Sequence, residues 1–471
     1  MSTNVPIPLL VNGPTGEPAP VLPAESLPHL SPDLPGAERR SIDSTHLGTD
    51  SSVGDPDDLT QTGWCILFAS DADPAIKAQL QPLIDLRRKQ VNDDHLFQVF
   101  EGNDSGVRPN QTADDWAEYR GVSLTAKVDP TAGVPYYVLL VGHPSRISFE
   151  FQNLLKMQWA VGRLAFDDIE DYGRYARAVV QYEDPASVPV QRKNAAVWVT
   201  RNDGDVATAM LSNAICPNFL DDHKPLGSGP AKFTLDAFTY STEKQATKQQ
   251  LIDILRGNLP GGPPAVLFTG SHGVEYPMTD PVLQRRMQGS LLTQEWVRDT
   301  PAGANNLFSA EDIPADAKLQ GVMAFLFACY SGGCPAVNNY YFNPDGSKIP
   351  IAPAPLIAAL PQALLSRGAL AVIAHVDMAF PYAFQDVTGT PQLQALRDPL
   401  TYLMFGRRAG YAADSLSDRW SRLCAQLIES EASTASLNPA ARTALTIARD
   451  DARNYIVLGD PAARLRVNDL K

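Results

Sequence analysis

Two stretches decide the fold: AVLFTGSHG at residues 265–273 and FLFACYSGG at residues 325–333. Each begins with an apolar run of strand length. Each then ends in glycines close to one reactive side chain, His272 in the first and Cys329 in the second. Reactive groups gather where the parallel strands of an open α/β sheet end, at their carboxyl edge. Both stretches therefore predict a buried strand whose end carries part of a functional site.

The rest of the chain repeats this alternation of apolar runs and amphipathic stretches. The pattern indicates an α/β fold of three layers, a mostly parallel sheet with helices on both faces. The predicted strands span residues 64–68, 136–142, 195–200, 265–269, 322–327, 369–374 and 455–458. The predicted helices span residues 74–89, 168–183, 205–214, 243–256, 354–366, 392–408, 414–431 and 439–451. Because strands and helices alternate in a similar way in both halves, we expect two related subdomains, residues 61–190 and residues 191–471.

The first 60 residues have a different composition. They are rich in Pro, Ser, Asp and Gly and show neither helical nor strand periodicity. Such a segment buries too little apolar surface to offset the entropy lost on ordering, so residues 1–60 are predicted to be a disordered leader. The alternative is a regulatory pro-segment with Arg39-Arg40 as its cleavage point. A plain tail is the preferred interpretation.

Composition limits the partners and the compartment. The net charge of −14 argues against nucleic acid, which needs clustered Lys and Arg. No uninterrupted run reaches the ~18 apolar residues of a membrane span. The five cysteines are sparse and odd in number, which suits a reducing compartment, so a cytoplasmic location is expected. His and Cys spacings fit no metal site, and no cofactor is expected. The sequence does not indicate the oligomeric state.

His272 and Cys329 together suit nucleophilic catalysis. A free thiol, with a pKa near ~8.5, is mostly protonated at neutral pH; an imidazole can take its proton and later give it to a leaving amine. Flanking glycines let a peptide backbone approach, so the N–H groups of Gly273 and Cys329 are candidates for an oxyanion hole. Either residue alone is more often structural. Their order and their separation of 57 residues favour a catalytic pair.

The order strand-His-Gly and then strand-Ala-Cys resembles the caspase-fold peptidases, and most of all the gingipain group. Further similar stretches are residues 136–142, 161–164, 170–172, 182–183 and 458–461. The sequence after Cys329 instead resembles the C-x-S-G of CHAT proteases and separases. The resemblance implies a caspase-like sandwich and a bacterial cysteine endopeptidase with a Cys-His dyad and a thioester acyl-enzyme. It suggests a regulated protease of protein or peptide substrates that prefers Arg or Lys before the cut.

Four other residues are secondary candidates. Glu275 or Asp280, just after His272, would orient the imidazole, with solvent exposure as the alternative. Asp377, in AHVDM at residues 374–378, follows the next strand and would line a substrate pocket that selects Arg or Lys, with a helix cap or turn as the alternative. Trp296 would form a mobile wall of that pocket, with a structural hairpin as the alternative.

Other interpretations remain open. His375 could replace His272, but no glycine follows it and it lies after Cys329. Cys334 is a redox partner or, more simply, a spectator. A caspase-fold scaffold without catalysis is the second hypothesis for the whole chain. An unrelated α/β hydrolase is the third, and the lack of a Gly-x-Ser-x-Gly elbow counts against it.

Overall fold

The computed structural model describes residues 7–21, 54–221, 223–242, 245–386, 389–432 and 438–471. The strands are β1 (Leu10–Asn12), β2 (Trp64–Phe68), β3 (Phe97–Phe100), β4 (Tyr137–Val141), β5 (Ala160–Leu164), β6 (Arg192–Val199), β7 (Thr234–Phe238), β8 (Pro264–Gly270), β9 (Gly273–Glu275), β10 (Leu291–Leu292), β11 (Leu307–Phe308), β12 (Met323–Phe327), β13 (Gly333–Cys334), β14 (Val337–Phe342), β15 (Lys348–Pro350), β16 (Leu356–Ile357), β17 (Ala371–His375) and β18 (Tyr455–Gly459).

The α-helices are α1 (Leu59–Thr62), α2 (Pro74–Val91), α3 (Gly102–Ser105), α4 (Ala113–Tyr119), α5 (Phe149–Leu155), α6 (Ile169–Glu183), α7 (Val206–Phe219), α8 (Lys248–Arg256), α9 (Pro281–Met287), α10 (Ala359–Ser366), α11 (Gln394–Met404), α12 (Ala409–Ala412), α13 (Asp414–Ala432) and α14 (Pro439–Arg453). Helix α2 packs on α6, and α13 packs on α14.

Ten of the strands in the described part of the chain form one sheet, in the order β3-β2-β4-β5-β18-β17-β12-β8-β6-β7. Neighbouring strands are parallel throughout, except for the antiparallel pair β17 and β18. Strands β2 to β5 therefore run opposite to β6, β7, β8, β12 and β17. The predicted α/β fold with a mostly parallel sheet is confirmed, whereas the boundary of the two subdomains near residue 190 stays a prediction.

The sheet is the core of the molecule. Every residue of β2, β4, β5, β8, β12, β17 and β18 is buried. Strands buried on both faces read as continuous apolar runs rather than as alternating ones, because layers cover both sides of the sheet. This explains why most of the buried strands could be predicted from sequence, while β3 and β7, which are partly exposed, were missed; β5 was missed although it is buried.

A buried ion cluster ties the end of the chain to the first subdomain. The Arg87 guanidinium lies 2.7 Å from Oδ2 of Asp460 and 2.6 Å from Oε2 of Glu183. The Trp64 Nε1–H donates to Oδ1 of Asp460 at 3.0 Å. Buried charges need such partners, since desolvation without them is costly. The Asp of the Leu-Gly-Asp-Pro stretch is therefore a structural residue that fixes the end of β18 against α2 and β2.

The N-terminal segment departs from the prediction. Residues 1–60 were expected to lack regular structure, yet Leu10–Asn12 form strand β1, which pairs in parallel with β9. Leu9, Leu10 and Val11 are buried. The prediction is wrong here because a distant strand supplies the hydrogen bonds and apolar contacts that local composition does not reveal. Arg39-Arg40 lies outside the described residues.

Candidate active site

The two motifs meet at one edge of the sheet. Strands β8 and β12 are parallel neighbours, with Gly270 opposite Phe327, and the N–H of Ser271 donates to the carbonyl of Phe327 at 3.1 Å. A Cβ atom added to Gly273 would lie 1.9 Å from the carbonyl oxygen of Cys329. The loops after the two strands are therefore in contact, and only glycine at position 273 permits that contact.

Cys329 lies at the end of β12 and is wholly buried. Its Sγ accepts a hydrogen bond from the N–H of Ala379 at 3.0 Å, from the loop that follows β17. Burial raises the pKa of the Cys329 thiol well above its usual value, and the charges of Asp377 and Glu275 act in the same direction. The resting sulfur is therefore protonated and needs a base to become a nucleophile.

The residue after Cys329 makes the turn that presents the thiol. Tyr330 has φ of +56°, a left-handed conformation that is uncommon for a large side chain. Its N–H donates to the carbonyl of Asp377 at 2.9 Å, which holds the turn against the loop after β17. Such strain persists where surrounding contacts enforce it, and it is concentrated at functional sites.

His272 is wholly buried and held from two sides. Its Nε2 lies 2.9 Å from Oδ2 of Asp205, and the ring of Trp296 meets the imidazole edge-on at 5.7 Å. Nδ1 has no hydrogen-bond partner among the described residues. Because an ionised carboxylate only accepts hydrogen bonds, the neutral imidazole carries its proton on Nε2. Nδ1 then keeps a free lone pair that can take a proton.

Asp205 is the residue that sequence reasoning missed. It caps the N-terminus of α7, where its Oδ2 accepts the N–H of Thr208 at 2.8 Å and the hydroxyl of Thr208 at 2.7 Å. Burial opposes its ionisation, but attraction to His272 and these hydrogen bonds outweigh burial and hold the pKa of Asp205 well below its usual range. The sequence offered one part of the signal, an Asp at the start of a predicted helix, while its position beside the histidine strand came only from the sheet order.

The predicted orienting residues take other positions. Glu275 lies on β9 and does not contact the imidazole through any hydrogen bond or ion pair in the described part of the chain, so its assignment as the orienter of His272 is wrong. The reason is that β9 turns away from the end of β8 to pair with β1 and β10. Asp280 is exposed and caps α9 through the N–H of Leu283.

Glu275 and Asp377 instead form an acidic pair close to the thiol. Burial raises the pKa of Glu275 to about 7, and the charge of Asp377 adds to this. Burial likewise raises the pKa of Asp377 to about 6, although its carboxylate accepts hydrogen bonds from Asn339 at 2.7 Å and from the N–H of Met378 at 2.8 Å. Within the described chain, no Lys or Arg forms an ion pair with Glu275.

The remaining candidates are buried. Trp296 donates its Nε1–H to the carbonyl of Thr300 at 2.9 Å, and its assignment to a mobile wall of the substrate pocket stays a prediction. Both ring nitrogens of His375 have partners: Nδ1 accepts the N–H of Asp377 at 3.3 Å and Nε2 donates to the carbonyl of Asp451 at 3.1 Å, and burial lowers the pKa of His375 to about 4. It therefore cannot replace His272. Cys334 is a buried free thiol.

For the predicted oxyanion hole, the structure shows the hydrogen-bond partner of one donor. The N–H of Gly273 points to a carbonyl oxygen, that of Leu9, at 3.0 Å. The assignment of Gly273 and Cys329 as oxyanion-hole residues stays a prediction. No group of three or more His, Cys, Asp or Glu in the described residues is arranged to hold a metal ion. Over the same residues, no helix has the length and apolar character needed to cross a bilayer.

Several solved structures are similar to this chain at low sequence identity. A protease structure shares 11% identity with a TM-score of 0.47, over 86% of this chain and 78% of that chain. A complex of the Porphyromonas gingivalis RgpB pro- and mature domains shares 12% identity with a TM-score of 0.46, over 86% of this chain and 80% of that one. A Saccharomyces cerevisiae separase–securin complex shares 12% with a TM-score of 0.29, over 69% and 16%.

No curated protein sequence matches this chain. A family model does: that of peptidase family C25 matches residues 66–466. The match begins in β2, ends beyond β18, and includes both His272 and Cys329. Since it covers far more than half of the sequence, the chain belongs to peptidase family C25, the gingipain family of cysteine peptidases.

Proposed function

We propose that this cysteine peptidase is an endopeptidase in which Cys329 is the nucleophile and His272 is the general base and acid. The observation that carries the proposal is the hydrogen bond of 2.9 Å between Asp205 and Nε2 of His272. It leaves Nδ1 free on an imidazole whose loop touches the backbone of Cys329. A base that is oriented by a carboxylate and adjacent to a nucleophile is the arrangement that acyl transfer requires.

The reaction follows from these positions. Nδ1 of His272 takes the thiol proton, and the Cys329 sulfur attacks the peptide carbonyl carbon. The N–H groups of Gly273 and Cys329 are the donors nearest to the developing oxyanion. The protonated imidazole gives its proton to the leaving amine, which breaks the C–N bond and leaves a thioester. His272 then takes a proton from water, which attacks the thioester and releases the carboxylic acid and the thiol.

We also propose that the enzyme prefers Arg or Lys as the residue before the cleaved bond. Glu275 and Asp377 support it, because burial raises the pKa of both carboxyls and the charge of Asp377 adds to the effect on Glu275, so both gain from a cation beside them. A guanidinium or ammonium group would restore their ionised forms through charge-assisted hydrogen bonds. A neutral side chain would leave the charge of Asp377 acting on Glu275 without compensation.

The test is a cleavage profile with matched active-site variants. Fluorogenic peptides that differ only in Arg, Lys, Asp or Leu before the cut are given to the native chain, to Cys329→Ala and to His272→Ala. We expect turnover of the Arg and Lys peptides by the native chain alone. An acyloxymethylketone that carries Arg should label Cys329. Full activity of Cys329→Ala, or labelling of a different cysteine, would overturn the assignment.

A scaffold without catalysis is the second candidate function. The observation that favours it is the complete burial of both Cys329 and His272, which closes the site to substrate. The same experiment separates the two: a scaffold hydrolyses none of the peptides and still folds. For the catalytic function we also propose a cytoplasmic location and a single partner protein as substrate. The five free cysteines fit a reducing compartment, and cell fractionation tests the location.

A further inference from the structure

The loop that follows β17 supplies a hydrogen-bond donor to the candidate nucleophile. The N–H of Ala379 donates to the Cys329 sulfur at 3.0 Å, and the thiol itself donates to the carbonyl oxygen of Ala379 at 3.6 Å. When the thiol loses its proton, the second bond is lost and the first gains a charged acceptor. Hydrogen bonds to an ionised group are about twice as strong as neutral ones. The Ala379 N–H is therefore placed to bind the thiolate more tightly than the thiol.

The surroundings of the sulfur otherwise oppose its ionisation. Burial raises the pKa of Cys329, and the charges of Asp377, Asp451 and Glu275 act in the same direction, whereas the N–H of Ala379 lowers it. A charge that is buried without a hydrogen-bond partner carries the full cost of its lost hydration. The thiolate thus depends on this donor for as long as it exists.

Five consecutive N–H groups of the loop, those of residues 376–380, each have an acceptor. The acceptors are the carbonyl oxygen of Asn454 for Val376 at 2.9 Å, Nδ1 of His375 for Asp377 at 3.3 Å, Oδ1 of Asp377 for Met378 at 2.8 Å, the Cys329 sulfur for Ala379 and Oδ1 of Asp451 for Phe380 at 2.9 Å. Buried N–H groups are nearly always paired, since an unpaired one costs as much as a lost hydrogen bond. The Ala379 N–H differs from its neighbours in that its acceptor is the reactive atom.

Asp451, near the end of α14, holds this loop at two points. Its Oδ1 accepts the N–H of Phe380, and its main-chain carbonyl accepts the Nε2–H of His375 at 3.1 Å. The carboxylate is wholly buried. The peptide units before and after the one that carries the Ala379 N–H are therefore both fixed, the first by Asp377 and the second by Asp451. Together they set the direction of that N–H.

Arg419, on α13, contacts the same carboxylate from its other oxygen. Its guanidinium lies 3.6 Å from Oδ2 of Asp451 and also donates to the carbonyl of Tyr382, further along the loop. Burial raises the pKa of Asp451 to about 7, and attraction to Arg419 opposes that rise. Arg419 therefore favours the ionised form of Asp451, in which both oxygens accept hydrogen bonds.

We propose that the N–H of Ala379 is a catalytic group that stabilises the Cys329 thiolate, and that Asp451 is the positioning residue that keeps this N–H directed at the sulfur. The inference rests on the proposed function, since it adds a donor to the same reaction. Once Nδ1 of His272 has taken the thiol proton, the Ala379 N–H holds the thiolate until the sulfur bonds the peptide carbonyl carbon. When water breaks the thioester, the departing sulfur accepts the same N–H and takes a proton back from the imidazolium.

This role predicts which kinetic constant changes. The Ala379 N–H binds the sulfur and Asp451 binds the loop, so neither group holds the substrate in this proposal. Loss of the positioning contact should therefore slow the chemical steps and lower kcat, while KM stays close to its native value.

The test compares two substitutions of Asp451 in the full-length chain. Asp451→Asn keeps an oxygen for the N–H of Phe380, whereas Asp451→Ala leaves that N–H without its acceptor. Asp450→Ala is the matched control, because Asp450 is the preceding residue of α14, is also buried, and pairs with Arg449 at 3.0 Å. For each chain we would measure kcat and KM with the Arg peptide, together with the melting temperature.

We expect Asp451→Ala to lower kcat at least about tenfold with KM within about twofold of the native value, because the thiolate loses a well-directed charge-assisted hydrogen bond. Asp451→Asn should recover most of this loss, and Asp450→Ala should keep native kcat. A merely structural role would lower the melting temperature and change KM together with kcat. Native kcat in a folded Asp451→Ala, or equal losses in the Ala and Asn variants, would overturn the proposal.

A second variant decides the matter if Asp451→Ala does not fold. Arg419→Gln removes the ion pair that favours the ionised Asp451, and it should lower kcat in the same direction and by less, again with little change in KM. Native kcat in Arg419→Gln would then overturn the proposal. A native chain that hydrolyses no peptide would defeat the proposed function and this inference with it. An active native chain whose kcat does not depend on Asp451 would defeat the inference alone.

Discussion

Asp205 and His272 lie in the loops after different strands of one sheet, yet Oδ2 of the first is 2.9 Å from Nε2 of the second. Asp205 follows β6, His272 follows β8, and these strands are parallel neighbours. The carboxylate fixes one imidazole nitrogen and leaves the other, Nδ1, without a partner among the described residues. This relationship gives the histidine a defined orientation.

Asp205→Asn should therefore impair catalysis more than binding. The amide cannot stabilise the imidazolium, and when its oxygen and nitrogen are exchanged it favours the wrong imidazole tautomer. The same change in a Ser-His-Asp triad lowers kcat by ~10⁴, and the loss of kcat in Asp205→Asn should not exceed that factor. We expect KM to change little and the pH profile of kcat to shift. Asp280→Asn, which alters an exposed helix cap, is the control and should retain native kcat. A native kcat and pH profile in Asp205→Asn would contradict the role.

Selectivity for a basic residue before the cut should depend on pH through Glu275. Burial raises the pKa of Glu275 to about 7, so its carboxyl is neutral below that pH and negative above it. The ratio of kcat/KM for Arg and Leu peptides should rise as the pH increases from about 6 to about 8. Glu275→Gln should flatten this dependence. We would measure both in the native chain and in Glu275→Gln; an unchanged slope in Glu275→Gln would exclude Glu275 from the pocket.

Asp460→Asn should destabilise the fold strongly. It removes one charge from a buried cluster and leaves the Arg87 guanidinium with only Glu183, which should cost about 3–5 kcal/mol in the free energy of unfolding. Urea denaturation measures the loss. Asp94→Asn is the control, because its ion pair with Arg88 is largely exposed and worth about 0–1 kcal/mol. Similar losses for both variants would show that burial does not set the strength of the Arg87 cluster.

Asp414→Asn should change how stability depends on pH. Burial raises the pKa of Asp414 from 3.8 to about 8, while the Tyr136 hydroxyl donates to its carboxylate. Between these values the unfolded chain releases a proton that the folded chain retains, so this group's stabilisation is complete below pH 4 and is lost as the pH rises towards 8. The melting temperature of Asp414→Asn, relative to the native chain, should therefore rise over that range. Asp203→Asn, at an exposed site, should show no such trend.

The central strands and the two reactive residues could be predicted from sequence, because the relevant information is local. Strands β8 and β12 are continuous apolar runs that end in a glycine-flanked His272 and an Ala-Cys329, and the rule that parallel strands end at one edge places them together. The contact between Gly273 and Cys329 follows from the parallel alignment of β8 with β12.

Two features were decided by tertiary structure alone. The partner of His272 depends on which strand lies beside β8, and the sheet order places β6 there, so Asp205 and not the nearby Glu275 meets the imidazole. The order of residues 9–12 depends on hydrogen bonds to Gly273, Glu275 and Ala379, all more than 250 residues away. Local composition indicates how much conformational entropy a segment loses on ordering. The contacts that offset this loss form only when distant strands have come together.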